Sequence, residues 1–394
     1  MNKSIRPPAL KLLFVINAPI VGGAERHTFG LAEGLKAYHF ESTAFAMKGG
    51  ENEAALLGVS KMPILTPGPG YRLTKRIREL ADEIDRGGYD VIIGVNERPI
   101  LAAFLARLHR GWKKHPSIVG VLHSTVLRNW RETLIHIGHF PVFYGIEDIV
   151  FISARQREFW LRRGMRPRRK HTILNGIDID RFRPELRLPH RDASRAQYGF
   201  RPEDYVLGLC AMLRSEKNPL QLVEAVARLR QDGVPAKALI VGEGIMRGQI
   251  EERIASLNLQ DAIVLAGLVK DVRPLAAAMD VGVLCSTSIE TLSLAALELM
   301  AMGVPMVMSD IGGASEIVDG HNGRLFPVGD DAAFQAALKE LWAPEAREAA
   351  ALAARATVEQ KFTHGQMVSE YASLLRRIVE RSGRETAAPP AVSA

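Results

Sequence analysis

The stretch LCSTSIETLSLAALELMAMGVPMVMSDIGGASEIV, residues 284–318, decides how the chain is read. The apolar run Val281 to Leu284 predicts a buried strand, Cys285 to Ser288 a small polar loop, and Thr291 or Ser293 the N-cap of a helix. That helix has to stop near Met302, because Gly303 suits the left-handed position beyond a helix end and Pro305 cannot continue the ladder. Met306 to Met308 predicts the next strand. Such a strand, loop, helix, strand unit exposes backbone N–H groups at a helix start, where unpaired donors and partial positive charge suit a phosphate. It also holds two glutamates eight positions apart, Glu290 and Glu298. Eight residues at helical rise span roughly 12 Å, which suits the two ends of a nucleoside diphosphate sugar, with ribose hydroxyls at Glu298 and sugar hydroxyls at Glu290. The bland alternative is a pair of solvated helix glutamates. Leu297, Leu299, Met300 and Ala301 argue against it, since a carboxylate among them needs a partner.

Outward from this unit the chain alternates strands and helices. Strands are predicted at Leu12–Asn17, Ser42–Met47, Val91–Val95, Ile118–Leu122, Asp148–Ile152 and His171–Leu174, with helices such as Glu25–Ala37, Arg72–Arg86 and Ser153–Arg163 between them. The rhythm restarts at Tyr205–Cys210 and continues through helix Pro219–Asp232, strand Ala238–Val241, helix Arg247–Leu257 and strand Ala262–Leu265. Alternation of this kind implies parallel sheets with helices on both faces, hence an α/β chain of two doubly wound, Rossmann-like domains. The predicted division is an N-terminal domain over 1–177, a Pro- and Arg-rich linker with a short helix over 178–200, a C-terminal domain over 201–362 and a disordered tail over 382–394.

At 394 residues, 47% hydrophobic and 24% charged, the chain is long enough for two full cores. Its two cysteines, Cys210 and Cys285, form neither a disulfide framework nor a metal pair, which fits a reducing, cytoplasmic compartment. The basic, apolar N-terminus is read as a first strand and not a signal peptide, and no window is apolar enough to cross a membrane. Residues 1–177 hold 27 Lys+Arg against 15 Asp+Glu, whereas 178–394 hold 24 against 29. The basic excess includes Arg107, Arg110, Lys113 and Lys114 beside Trp112, and Arg162 through Lys170. It is either a solvated face or a contact for an anionic membrane surface or phosphate-bearing acceptor. No nucleic-acid partner is expected.

The motif ETLSLAALE followed by AMGVPMVMSDIGGASEIV resembles the retaining glycosyltransferases of family 4, which have the two-domain GT-B fold with the domains facing each other across a cleft. The resemblance covers most of the chain. It implies transfer of a sugar from a nucleoside diphosphate donor, UDP- or GDP-linked, to a hydroxyl acceptor in bacterial surface glycan or lipid-linked oligosaccharide synthesis. It assigns Glu290 and His123, in GVLHST, to the transferred sugar, and the GGAE loop with Gly22 and Gly23 to the donor side. By the same resemblance Lys217, in GLCAMLRSEKNP, is expected to grip the donor phosphates. The usual arginine is replaced by Met212, and Arg214 on the same side of an extended chain is the candidate substitute. Val269 is the expected base contact, Glu298 the ribose contact, and the backbone from Thr291 through Leu292 and Ser293 to Leu294 the diphosphate contact. The final helix, about 365–381, is expected to return to the N-terminal domain. No cofactor and no obligatory metal are expected, because no Asp-x-Asp motif stands at a suitable strand end.

Other readings stay open from the residues alone. Gly22 and Gly23 also fit a simple steric turn, a histidine at a strand end is commonly structural, and Gly242-x-Gly244 lacks the spacing of a dinucleotide fingerprint. A related fold can serve an epimerase or phosphorylase, and Met212 can mark a noncatalytic sugar-nucleotide-binding subunit.

Overall fold

The computed structural model describes residues 9–18, 22–49, 62–66, 72–111, 116–123, 138, 141–288 and 290–383. Trp112, Lys113, Lys114, the first eight residues and the tail from 384 lie outside them. Two compact units are present, one of Met1–Asn175 with His364–Ala394 and one of Gly176–Thr363.

The first unit contains β1 (Leu10–Ile16), β2 (Phe40–Ala46), β3 (Ile64–Leu65), β4 (Val91–Val95), β5 (Ser117–Leu122), β6 (Asp148–Phe151) and β7 (Arg169–Thr172). They form a parallel sheet in the order β3-β2-β1-β4-β5-β6-β7. The second unit contains β8 (Tyr205–Cys210), β9 (Ala236–Val241), β10 (Ile263–Gly267), β11 (Val281–Leu284), β12 (Met306–Ser309) and β13 (Gly323–Phe326), parallel in the order β10-β9-β8-β11-β12-β13. Helices cover both faces, so the central strands are apolar apart from Lys237, and every residue of β4, β9 and β11 is buried. The winding reverses between β1 and β4 and between β8 and β11. In open α/β sheets that is where the loops after neighbouring strands diverge and leave a crevice.

Three features add to or depart from the sequence reading. Short edge strands β3 and β13 were not expected; β3 has two residues and β13 alternates buried ends with a half-buried middle, so neither is an apolar run. Residues 178–200, read as a linker with a short helix, fall within the second compact unit and hold two short helices. These are Pro184–Arg187 and Arg191–Gln197, and Arg191 and Arg195 each reach Asp280 at 2.6 Å. Arg187 donates to the carbonyls of Gly303 at 3.1 Å and Met279 at 2.5 Å. Polar contacts fasten this segment together with two isolated buried aromatics, Phe182 and Phe200, which is why no periodicity announced it.

The third feature is the pairing on the basic face, which leaves both the solvated-surface and the anionic-contact readings standing. The helix Glu97–Arg110 buries Ile100, Ala102, Ala103 and Ala106 in the first core, as part of the fold. Arg107 pairs with Glu147, and Arg110 with Asp82 and Asp85. Arg162 pairs with Glu158, Arg169 with Asp148, and the Arg163 guanidinium lies over the Phe159 ring. These arginines therefore have partners of their own, although the unit's net basic excess is the same with or without the pairing. The last helix, His364–Arg381, belongs to the first unit: His364 Nε2 lies 3.0 Å from the Gly30 carbonyl and Arg376 donates to that of Tyr38 at 2.8 Å. Among the described residues no helix is long and apolar enough to cross a membrane.

Candidate active site

The loop from β11 ends at Ser293, whose hydroxyl accepts from the Ala296 N–H at 3.3 Å and caps the helix Leu294–Ala301. Gly303, at φ 72°, closes the other end. Because helical geometry begins only at Leu294, the span of roughly 12 Å calculated on a continuous helix from Glu290 to Glu298 does not hold. The first four of those positions follow an irregular loop.

Both carboxylates are inside the protein, Glu290 at 6% exposure and Glu298 at 4%. Glu290 Oε2 accepts from Lys217 Nζ at 2.6 Å and from Ser286 Oγ at 2.9 Å. Ser309 Oγ in turn donates to the Ser286 carbonyl at 2.6 Å and holds that loop. Lys217 comes from the short helical turn Ser215–Lys217 after β8, closed by Asn218 at φ 46°. Residues 73 apart meet because β8 and β11 are neighbours at the winding reversal. Lys217, read from sequence as a phosphate contact, is thus the counter-ion of Glu290. A buried carboxylate left unpaired would be strongly unfavourable.

The turn after β12 supports the same loop from beneath. Gly313 N–H donates to the Glu290 carbonyl at 2.9 Å. Gly312 has φ 59°, and a Cβ on it would overlap that carbonyl oxygen, as one on Gly313 would overlap the oxygen of Thr291. Gly312→Ala is therefore expected to displace Glu290 and abolish transfer. The check is kcat alongside circular dichroism, with normal activity in a folded variant as the contrary outcome.

Around this centre, Thr291 and Leu292 are buried, while Ser293, Leu294 and Val269 are half-buried. Glu298 lies close enough to Cys210 that its charge adds to burial in pushing that thiol up to about 12. Leu213 points inward while Met212 is 46% exposed and Arg214 half-buried, with its guanidinium 3.9 Å from Glu216. Gly242 and Gly244 let the next turn press onto this backbone, where Leu213 N–H donates to the Glu243 carbonyl at 2.9 Å. They serve close packing. Among the described residues no group of three or more His, Cys, Asp or Glu side chains is arranged to hold a metal ion.

In the first unit, Gly22 is the N-cap of the helix Gly23–Leu35, and Glu25 folds back against it, its carboxyl raised by burial. His123 follows β5, and its N–H donates to Asn96 Oδ1 at 2.8 Å. Its ring meets His27 edge to face at 4.4 Å between centroids, and burial pushes the imidazole down to about 3, so it is neutral. Sequence reasoning missed Ser286, Ser309 and His27. The available signal for His27 was its place four residues after Gly23, on the inward face of a helix.

Residues 21–181 match the model of Glycosyltransferase Family 4, and residues 204–343 that of Glycosyl transferases group 1. A Bacillus subtilis (strain 168) protein named as a glycosyltransferase, EpsD, is 30% identical over 323 residues, which covers 78% of this chain and 82% of that one. The chain belongs to glycosyltransferase family 4. Its fold is that of HepE from Anabaena, solved in complex with UDP-glucose, at a TM-score of 0.81 and 20% identity over 93% of this chain and all of that one. A second relative of this family 4 glycosyltransferase is the GDP-mannose-dependent alpha-(1-6)-phosphatidylinositol dimannoside mannosyltransferase of Mycobacterium tuberculosis. It is 32% identical over 155 residues, 39% of this chain and 38% of that one. The chain is thus a glycosyltransferase with two parallel-sheet α/β domains of the GT-B type.

Proposed function

We propose that this glycosyltransferase works with retention, moving a hexose from a UDP- or GDP-linked donor to a hydroxyl of a glycan or lipid-linked acceptor in bacterial surface glycan synthesis. The observation that carries the reading is the buried carboxylate of Glu290, held by Lys217 and Ser286 in front of a capped helix start. A fixed, desolvated charge of this kind stabilises positive character at a sugar carbon without reorganising during the reaction. The donor diphosphate meets the backbone from Thr291 to Leu294, with Arg214 and Lys217 as its cations, while Glu298 takes the ribose hydroxyls and Val269 the base. By the family resemblance, His123 and the Gly22-Gly23 loop are also read as contacts of the sugar. Glu290 acts as an electrostatic and positioning group. No cofactor and no obligatory metal form part of the proposal, and contact with an anionic inner membrane face is peripheral.

Relatives support both donor classes. HepE was solved with UDP-glucose, the mycobacterial enzyme is named for GDP-mannose, and an Escherichia coli relative, 28% identical over 176 residues, is named for UDP-Gal and a diphosphoundecaprenol acceptor. A mass-spectrometric screen of UDP- and GDP-sugars for binding and turnover tests the proposal, with the anomeric configuration of the product read by NMR. Inversion overturns retention, phosphorolysis or epimerisation overturns transfer, and binding without turnover identifies a noncatalytic subunit. Met212→Arg is expected to lower the donor KM by up to about tenfold, the worth of one charge-assisted hydrogen bond, with kcat little changed. An unaltered KM in steady-state assays would place the donor phosphates away from residue 212.

A further inference from the structure

The second unit has a cavity of about 490 Å³, within the range of roughly 300–1,000 Å³ common to small-molecule sites. Its walls include Arg191, Glu203 and Asp280, which precede β8 and β11, and Lys339, Trp342 and Arg347, from the end of the helix Asp331–Glu340 to the start of the helix Pro344–Lys361. Glu290 follows β11, at the opposite end of the sheet, and the six residues of β8 set about 20 Å between the two places. Positive charge is in excess at the cavity. Asp280 is shared by three guanidiniums, Arg191 and Arg195 at 2.6 Å and Arg347 at 4.0 Å. Arg187 is a fourth: burial pushes it down to about 10, and the charges of Arg191, Arg195 and Arg347 add to that shift while Asp280 opposes it. Asp204, which acts on Arg195, brings the balance to four cations against two carboxylates. Glu203 and Lys339, at the rim, are matched by Arg201 and Asp232. Arg187 and Arg195 use their N–H groups on backbone carbonyls and Asp280. Arg191 donates through Nη2 alone, to Asp280, and Arg347 through Nη1 alone, to the carbonyls of Leu341 at 3.3 Å and Trp342 at 2.8 Å. Their other N–H groups have no acceptor among the described residues, and the Trp342 beside them is 42% exposed.

We propose that this cavity binds one acidic sugar residue, with its carboxylate or phosphate on Arg191 and Arg347, its ring face on Trp342 and its hydroxyls between Lys339 and Glu203. Guanidinium N–H groups match the oxygens of a carboxylate or phosphate in paired, charge-assisted bonds, and the added negative charge meets the local excess of cations. An exposed indole offers a flat apolar face with one donor at its edge. Sugar hydroxyls both donate and accept, which suits a rim that carries an ammonium and a carboxylate together. A bare inorganic anion uses the guanidiniums and leaves the indole and Glu203 without a role. A glycan anchored here, once long enough to span the sheet, raises the local concentration of its acceptor end near Glu290. That the sugar belongs to the glycan under construction rests on the proposed function; that the cavity takes an acidic sugar does not.

The test titrates the full chain with D-glucuronate, glucose 6-phosphate, glucose and inorganic phosphate, read by ligand-observed NMR, which needs no turnover. At least one acidic sugar is expected to bind with a Kd of about 1 mM, and glucose and inorganic phosphate about tenfold more weakly or worse. The tighter of the two acidic sugars identifies the acid group. Arg191→Ala is expected to weaken that sugar about tenfold and Trp342→Ala about fivefold, with circular dichroism confirming that each variant is folded. If neither acidic sugar binds, the proposal is overturned. Inorganic phosphate binding as tightly as glucose 6-phosphate, with Trp342→Ala without effect, reduces the cavity to a bare anion site and overturns it as well. UDP and GDP are then added at saturation. Displacement of the sugar places it at the Glu290 site and overturns the proposal, whereas a sugar that stays bound beside the nucleotide supports a separate site, whatever the fate of the transferase reading.

Discussion

Glu290→Gln is expected to lower kcat by about 10²- to 10³-fold, the usual cost of removing one preorganised electrostatic group from a dry site. Glutamine keeps the shape of the side chain and an oxygen able to accept from Ser286, so the loss isolates the charge. Lys217→Met is expected to act in the same direction, because Glu290 would then be buried without its partner at 2.6 Å. The two effects should be far from additive, since each residue acts through the other. Folding stability should change by no more than about 1 kcal/mol in Glu290→Gln, as Lys217 retains access to water. Initial rates with the donor found by screening provide the measurement. A Glu290→Gln enzyme with normal kcat would sink the assignment of this carboxylate to the reaction.

Asp280→Ala carries the largest expected stability effect. Asp280 is 3% exposed, accepts from Arg191 and Arg195 at 2.6 Å each and from the Val206 N–H at 2.8 Å, with Arg347 at 4.0 Å. Burial lowers the pKa of the Arg195 guanidinium and Asp280 opposes that shift, so the carboxylate is the charge that compensates a nearly inaccessible cation. Its removal leaves that charge uncompensated, at a cost of about 3–5 kcal/mol. Arg191→Ala, at a position that reaches water, should cost about 1 kcal/mol. Urea unfolding followed by circular dichroism distinguishes the two, and equal midpoints for Asp280→Ala and the wild type would show that the cluster is not what holds residues 184–197 in place. Donor KM should be unaffected in folded Asp280→Ala protein, because Asp280 precedes β11 whereas the ligand-facing loops follow the strands.

Much of the architecture was legible because burial on both faces leaves a strong signature. Val91–Val95, Tyr205–Cys210 and Val281–Leu284 are apolar runs bounded by turn residues, and they are strands β4, β8 and β11 over those same residues. Ser293 and Gly303 marked the two ends of one helix through the chemistry of caps, which is local. The short edge strands and the segment 178–200 were not legible, since neither presents an apolar repeat and the latter is fastened by arginines to a carboxylate more than eighty residues away. Ser286 was passed over for the same reason: in sequence it is one small polar residue among several, and its bond to Glu290 exists only once the loop has closed.

By itself the sequence determined the α/β class, the repeated strand and helix rhythm, the family 4 motif and the pair of glutamates, because these depend on hydrophobic period and on neighbours a few positions apart. Which cation meets Glu290, and which ring stands behind His123, only the tertiary structure decided. Winding that reverses between β8 and β11 makes neighbours of loops far apart in the chain, and a helix that follows β1 brings His27 beneath the end of β5. Side chains joined across such distances carry no mark of the pairing in their order along the polypeptide.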